Sequence, residues 1–309
     1  MKESEIATMQ YLRANRKYSD HIQVPEVYSW NLTHDNKAGA PYILREVIEG
    51  KDLSREFDSL TDVQKLKVTT AIARVQKVLS QPAEFTSIGG IYRSPKGEFF
   101  TGSYPSNWSG NGSHSNIGSL WQEKLEHGAM RMGQEYPRRL SHNQSKLKEL
   151  IGNFSPPGRL STLCIQHFDL AIRNVVFNDN LDITGVIDWE YAQVVPLAVA
   201  AKVPLDFVNN SVLSEAYIAA YADPNMRTSC QDFEDSVDYI HFHDLIMGPD
   251  HATSKKYVST WIEGLNAYFN QQQRHNTQNG GAILRFSKEL RELRRLEGEG
   301  PELAGNGCS

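Results

Sequence analysis

Three short apolar segments between residues 163 and 190 constrain the fold more than any other part of this sequence. They run over Leu163–His167, Asn174–Phe177 and Ile183–Ile187, and their composition and length predict β-strands. Residues 178–180, Asn-Asp-Asn, separate the last two segments and are typical of a tight turn. The sequence therefore predicts a strand followed by a β-hairpin.

Polar side chains stand where these strands begin or end. His167 and Asp169 follow the first strand, Asn174 opens the second, and Asp188 follows the third. Taken singly, Asp and Asn at such places are more often structural residues that cap turns. A buried carboxylate without a partner is costly, however, and two carboxylates with one amide beside a hairpin suit an oxygen-rich Mg²⁺ site.

The spacing of these four residues indicates a reaction type. His-x-Asp, an Asn five positions after the Asp, and a second Asp after a hairpin is the arrangement of a phosphotransferase catalytic loop. Asp169 would accept the proton of the attacking hydroxyl or orient that hydroxyl. Asn174 and Asp188 would hold the metal that bridges the nucleotide phosphates. His167 would brace the loop through a backbone hydrogen bond.

At these residues the chain resembles the aminoglycoside phosphotransferase family, the small-molecule branch of the protein-kinase-like fold. His167 to Asn174 is similar to the family's H-G-D-x-x-x-x-N loop, and residues 186–190 are similar to its V-I-D-W-E segment. In the family's order, residues 4–9 resemble the N-lobe helix, residues 24–27 the strand after it, and residues 41–50 the strand, hinge and glycine that line the adenine. The resemblance covers residues 3 to about 205.

The resemblance implies further roles. Glu46 and Ile48 would meet the adenine edge through a backbone carbonyl and a backbone N–H, although an edge strand alone explains the same segment. Glu5 would be the helix glutamate that pairs with the phosphate-binding lysine, although the helix dipole also favours Glu in a first turn. The implied cofactors are ATP and Mg²⁺. The implied substrate is a small molecule with a reactive hydroxyl, which the sequence does not identify.

The chain departs from the family pattern at three places. The glycine-rich turn and the lysine strand are expected before the helix, yet only Met1 to Ser4 precede Glu5, and Lys2 is too close to replace that lysine. Arg45 precedes the hinge where the family more often has an apolar residue, and Phe168 replaces a common glycine. The alternative hypothesis is therefore a catalytically silent kinase-like binding or scaffold protein, or a truncated gene product.

The predicted fold is α+β, a two-lobe protein-kinase-like fold with an N-terminally shortened small lobe and a mostly helical large lobe. Residues 1–50 would form the partial nucleotide-binding lobe, with the hinge near residues 45–50. Residues 51–270 would form the catalytic and substrate lobe, and residues 271–309 a linker, a terminal helix and a disordered tail. Helices are predicted over residues 3–14, 60–79, 120–132 and 140–151, with a long loop over 102–119. A short strand, a turn at residues 34–41 and a second strand over residues 42–48 predict a further hairpin near the N-terminus.

Composition excludes other classes of protein. The formal net charge is −5 and the pI is about 6.1, so a broad basic face for nucleic acid is not expected. The most apolar stretch, residues 194–205, is interrupted by Pro196, Lys202 and Pro204 and is too short to cross a bilayer. The N-terminus lacks the apolar core of a signal peptide. We expect a cytoplasmic protein with no membrane partner; its oligomeric state stays open.

Overall fold

Helices account for most of the regular structure in the computed structural model, which describes residues 2–104, 112–131, 148, 151–152 and 155–247. The helices are α1 (Lys2–Ala14), α2 (Arg16–Ser19), α3 (Asp62–Leu79), α4 (Ile117–Arg131), α5 (Leu197–Ala200), α6 (Leu205–Val208), α7 (Ser211–Tyr221) and α8 (Gln231–Met247). Within the described ranges, none of them is long and apolar enough to cross a membrane.

The strands of the described residues pair in four antiparallel ladders. They are β1 (Val27–Asn31) with β2 (Tyr42–Arg45), β3 (Ile91–Arg93) with β4 (Phe99–Thr101), β5 (Leu163–Gln166) with β8 (Gln193–Pro196), and β6 (Val175–Phe177) with β7 (Ile183–Val186). The two predicted hairpins, β1–β2 and β6–β7, are both present. The β3–β4 hairpin and strand β8 were not predicted.

Several element boundaries differ from the predicted ones for identifiable reasons. Helix α4 begins three residues earlier than expected, because the side chain of Asn116 accepts a hydrogen bond from the N–H of Ser119 and caps the helix. Strand β2 ends at Arg45, and the chain then leaves the ladder while the N–H of Glu46 still donates to the carbonyl of Glu26 at 2.7 Å. The predicted helix over 140–151 and the predicted segment 271–309 lie outside the described residues, apart from residues 148 and 151.

Helix α3 shows how local sequence fixes a boundary that tertiary packing then stabilises. Thr61 and Gln64 form a reciprocal capping box, so the helix begins at Asp62. Its buried face carries Val68 and Ile72, which belong to one apolar cluster with residues of α6 and α7 such as Tyr217. This cluster supports the strands β6 and β7 from one side.

Helix α1 packs on the strands that carry the predicted catalytic residues. Met9 and Leu12 are fully buried and share one apolar cluster with Ile165, Val186 and Trp189. At the level of packing, α1 is thus joined to strands assigned to the large lobe. The proposed division of the chain near residue 50 stays a prediction.

Candidate functional site

The loop after β5 brings Asp169 and Asn174 into direct contact. A 3₁₀ turn over Ile172–Asn174 follows the loop, and the N–H of Ile172 donates to a carboxylate oxygen of Asp206 at 3.0 Å. The amide Nδ2 of Asn174 donates to the carbonyl of Asp169 at 2.8 Å and to its Oδ2 at 3.0 Å. The predicted base and the predicted metal ligand are therefore fixed relative to each other.

The β6–β7 ladder places Asp188 beside this loop. Val175 lies opposite Val186, and the N–H of Ile187 donates to the carbonyl of Asn174 at 2.9 Å, so Asp188 follows immediately. Asp188 is half-buried, has a φ of 64°, and its carboxylate has no hydrogen-bond partner among the described residues. A half-buried carboxylate in this state fits a cation ligand.

The oxygen donors at this place fit a magnesium ion that arrives with phosphate. Asn174 uses its amide nitrogen on Asp169, which leaves its Oδ1 without a protein partner among the described residues. With the Asp188 carboxylate, Oδ1 gives two kinds of oxygen donor. The described part of the chain contains no group of three or more His, Cys, Asp or Glu that could hold a metal alone. Mg²⁺ commonly takes one or two carboxylates and completes its shell with substrate phosphates and water.

His167 lies behind the loop as a buried structural group. It is 2% exposed, and its Nε2 donates to the carbonyl of Ile187 at 2.9 Å, which places the ring hydrogen on Nε2. Its ring centroid is 4.5 Å from that of Trp189. Burial lowers the pKa of His167, although the Ile187 carbonyl and the charges of Asp169 and Asp188 act in the opposite direction. A neutral imidazole of this kind can brace the loop but carries no charge to the reaction.

Arg173 is a site residue that sequence reasoning missed. Its Nη2 lies 2.6 Å from both carboxylate oxygens of Asp169, and its side chain is 57% exposed. The signal was present in the sequence, because an Asp and an Arg four positions apart can pair within one turn. The carboxylate of Asp169 is therefore held by the solvent-facing cation of Arg173 and by the amide of Asn174.

The hinge segment is positioned by an arginine from α1 that the sequence did not single out. The Oε2 atom of Glu46 accepts from the N–H of Glu26 at 2.9 Å and lies 3.3 Å from Nη1 of Arg13. The same Nη1 donates to the carbonyl of Val24 at 2.6 Å. The carbonyl of Glu46 and the N–H of Ile48 have no hydrogen-bond partner in the described ranges, so both backbone groups are free for a ligand.

Two glycines allow the predicted hinge to approach the β6–β7 hairpin closely. A Cβ atom on Gly185 would lie 2.8 Å from Cγ2 of Ile48, closer than side-chain contacts allow. Gly50 has a φ of 128°, and a Cβ atom there would lie 2.4 Å from the carbonyl oxygen of Phe177. Next to it, Lys51 exchanges two backbone hydrogen bonds with Phe177. The predicted hinge and the β6–β7 hairpin are thus directly joined.

Glu5 is a buried carboxylate with two cationic partners. Its side chain is 5% exposed; Nζ of Lys2 lies 2.9 Å from Oε2, and Nη1 of Arg45 lies 3.3 Å from Oε1. Lys2 also lies 3.5 Å from a carboxylate oxygen of Glu190, two residues after Asp188. Burial lowers the pKa of Lys2, but Glu5 and Glu190 outweigh burial and raise it. Among the described residues, the pairing partners of the predicted lysine-binding glutamate are Lys2 and Arg45.

Phe168 occupies a backbone conformation that suits the glycine expected there. Its φ is 69°, in the left-handed region that bulky residues rarely adopt. Its ring is 54% exposed and lies 6.2 Å, centroid to centroid, from the ring of Tyr191, which is 37% exposed. An exposed aromatic pair therefore flanks Asp169.

Comparison with known proteins places the chain in a family. The model of the phosphotransferase enzyme family matches residues 2–227. Over 91 residues, or 29% of this chain, it is 36% identical to a subtelomeric hrmA-associated cluster protein of Aspergillus fumigatus, of which the match covers 17%. Over 96 residues, again 29% of this chain, it is 34% identical to Altered inheritance of mitochondria protein 9, mitochondrial, of Yarrowia lipolytica, of which the match covers 16%. The chain thus matches about one sixth of the length of these curated relatives.

Solved structures of low sequence identity also overlap the chain. An aminoglycoside-3′-phosphotransferase of type VIII aligns with a TM-score of 0.44 and 14% identity, over 79% of this chain and 80% of that one. The GDP complex of aminoglycoside 2′-phosphotransferase-IIIa aligns with a TM-score of 0.43 and 15% identity, over 96% of this chain and 82% of that one. Since these TM-scores are low, the assignment rests on the family match. The chain belongs to the phosphotransferase enzyme family, and its α+β architecture is the protein-kinase-like fold.

Proposed function

We propose that this protein is a small-molecule kinase that transfers the γ-phosphoryl group of ATP, with Mg²⁺, to a hydroxyl of its substrate. The proposal is carried by one observation: hydrogen bonds hold Asp169, Asn174 and the Ile187–Asp188 segment together at one end of the β6–β7 hairpin. Phosphoryl transfer depends mainly on positioning and electrostatic stabilisation, and this geometry can supply both.

Asp169 is the residue proposed to act on the acceptor. Its carboxylate would accept a hydrogen bond from the substrate hydroxyl, orient that oxygen toward the phosphorus, and take its proton as the bond to phosphorus forms. Oδ2 is already held by Asn174, whereas Oδ1 contacts only Arg173 among the described residues. Because Arg173 is mostly exposed, its displacement by an entering hydroxyl costs little, and Oδ1 is the oxygen we assign to the substrate.

The metal would bind at Asn174 and Asp188, and the nucleotide at the predicted hinge. Oδ1 of Asn174 and the Asp188 carboxylate would hold Mg²⁺, which when bound neutralises charge on the phosphates. The adenine edge would bind at the free carbonyl of Glu46 and the free N–H of Ile48. Arg13 supports this role because it and the N–H of Glu26 hold the Glu46 side chain, while those two backbone groups keep no partner in the described ranges.

An assay of phosphate transfer with a matched pair of variants tests the proposal. Asp169→Asn removes the proton acceptor but keeps the shape of the side chain, so we expect normal folding, retained ATP binding, and a loss of turnover of about 10²-fold or more. The control is Asp182→Asn, an exposed aspartate at the far end of the same hairpin that pairs with Lys67 at 2.8 Å. We expect this control to keep full activity.

The substrate assay uses a panel of hydroxyl compounds that includes amino sugars, sugars and amino alcohols, with ATP turnover as the readout. Equal activity of wild type and Asp169→Asn would refute the assigned role. Absence of any thermal shift with millimolar ATP·Mg²⁺ would refute nucleotide binding, and the catalytically silent module would then be the better hypothesis.

A further inference from the structure

A chain of four charged side chains runs from the hinge strand to the loop that carries Asp188. Arg45, the last residue of β2, pairs with Glu5; Glu5 pairs with Lys2; and Lys2 pairs with Glu190. The three contacts measure 3.3, 2.9 and 3.5 Å. One end of this chain adjoins the proposed adenine position at Glu46, and the other adjoins the proposed metal ligand Asp188. The charged side chains thus span the path that a bound nucleotide would take.

The arginine in this chain has unused hydrogen-bonding capacity. Arg45 is 38% exposed and only its Nη1 has a partner among the described residues, the carboxylate of Glu5. A guanidinium group carries five N–H donors in a rigid planar fork, so most of them point away from Glu5. Glu5 is 5% exposed and is itself held by Lys2, so it can orient Arg45 without following it.

We infer that Arg45 is a phosphate-binding residue, oriented by Glu5, that contacts the phosphate chain of ATP beside the hinge. This inference rests on the proposed function, because it assumes that the nucleotide binds between the hinge and Asp188. The chemistry is specific, since guanidinium groups pair with phosphate oxygens through two parallel hydrogen bonds while a lysine ammonium offers only a point charge. Arg45 thus supplies a cation at a position where the resemblance to known phosphotransferases predicts an apolar side chain.

Two ligands separate contacts to adenine from contacts to phosphate. Adenosine makes every hinge contact but has no phosphate, whereas ATP has both parts. Arg13 provides the matched control, because it is also an arginine near the predicted hinge but contacts Glu46 and Val24 instead of Glu5. The experiment measures the dissociation constants of adenosine and of ATP, each with excess Mg²⁺, by isothermal titration calorimetry. It compares wild type, Arg45→Met, Arg45→Lys and Arg13→Met.

We expect Arg45→Met to weaken ATP binding by about ten- to a hundredfold, the equivalent of one charged hydrogen bond, and to leave adenosine binding unchanged. Arg45→Lys keeps a cation beside Glu5, so it should fold normally and recover part of the loss. Arg13→Met should weaken both ligands by the same factor.

Three results would overturn the inference. If Arg45→Met and Arg45→Lys bind ATP as wild type does, the guanidinium does not contact phosphate, and the proposed function still stands. If Arg45→Met weakens adenosine and ATP equally, Arg45 acts on the hinge alone. If wild type binds neither ligand, the proposed function itself fails and the inference fails with it.

Discussion

Leu12 of α1 is fully buried against the strands that carry the proposed catalytic residues, and this contact predicts how the protein unfolds. Leu12 shares an apolar cluster with Ile165 of β5 and with Trp189, next to Asp188. Leu12→Ala removes buried hydrocarbon and leaves a cavity, which in well-packed cores costs about 2–5 kcal/mol. Because the neighbours come from several separate segments of the chain and cannot all move into the gap, we expect a cost of about 3 kcal/mol.

The cost should appear in one cooperative transition. A loss of about 3 kcal/mol lowers the melting temperature of a domain of this size by roughly 6–12 °C. Urea denaturation followed in parallel by far-ultraviolet circular dichroism and by tryptophan fluorescence measures the change, and the two signals should shift together. Glu3→Ala is the control on the same helix; Glu3 is exposed, so its change should stay within about 0.5 kcal/mol.

A different result would refute the reasoning. If Leu12→Ala shifts a separate early transition while the rest of the protein unfolds as in wild type, α1 belongs to an independently folding unit. The parts of the chain before and after residue 50 would then unfold as separate units. Equal stability of Leu12→Ala and wild type would show that the packing of α1 contributes nothing measurable.

Three other buried positions give measurable expectations. Gly185→Ala forces a methyl group against Ile48, so it should cost about 1–3 kcal/mol in urea denaturation and weaken ATP binding; unchanged values would contradict the close contact. Burial raises the pKa of Cys164 to about 12. Alkylation of Cys164 at a pH near 8, monitored by mass spectrometry, should therefore be about a thousandfold slower in the folded protein than in urea; equal rates would refute this. Burial also lowers the pKa of His114. As the pH falls through about 6.5, the unfolded chain binds a proton before the folded protein does, so the folded protein loses stability. His114→Gln should reduce that loss, which denaturation at about pH 7 and at about pH 5 measures.

The parts of the fold that could be predicted from sequence are those in which neighbouring residues suffice. Thr61 and Gln64 mark the start of α3 because a capping box is a local arrangement. The β6–β7 hairpin follows from two apolar runs around a polar turn, and it explains why Asn174 and Asp188 lie together although fourteen positions separate them. Spacing along the chain was therefore enough to indicate the proposed metal-binding residues.

The missed features depend on contacts between distant segments or on strands too short to recognise. Strand β8 pairs with β5 from about thirty positions away, and its short apolar sequence is equally compatible with other structures. The β3–β4 hairpin has strands of only three residues, below the length at which alternation is informative. Arg45 meets Glu5 across forty positions, so its ion pair could not be inferred from either neighbourhood.

The left-handed backbone of Phe168 predicts different outcomes for selection on stability and for selection on activity. A bulky side chain in the left-handed region costs of order 1 kcal/mol or more, and glycine would avoid that cost. The exposed ring gains little from burial in return. A library randomised at position 168 and selected only for heat resistance should therefore return glycine. The same library selected for growth that depends on phosphate transfer should retain the aromatic ring if its pair with Tyr191 contacts the acceptor. The difference in residue 168 between the two selected pools would show whether the strained backbone of Phe168 contributes to activity.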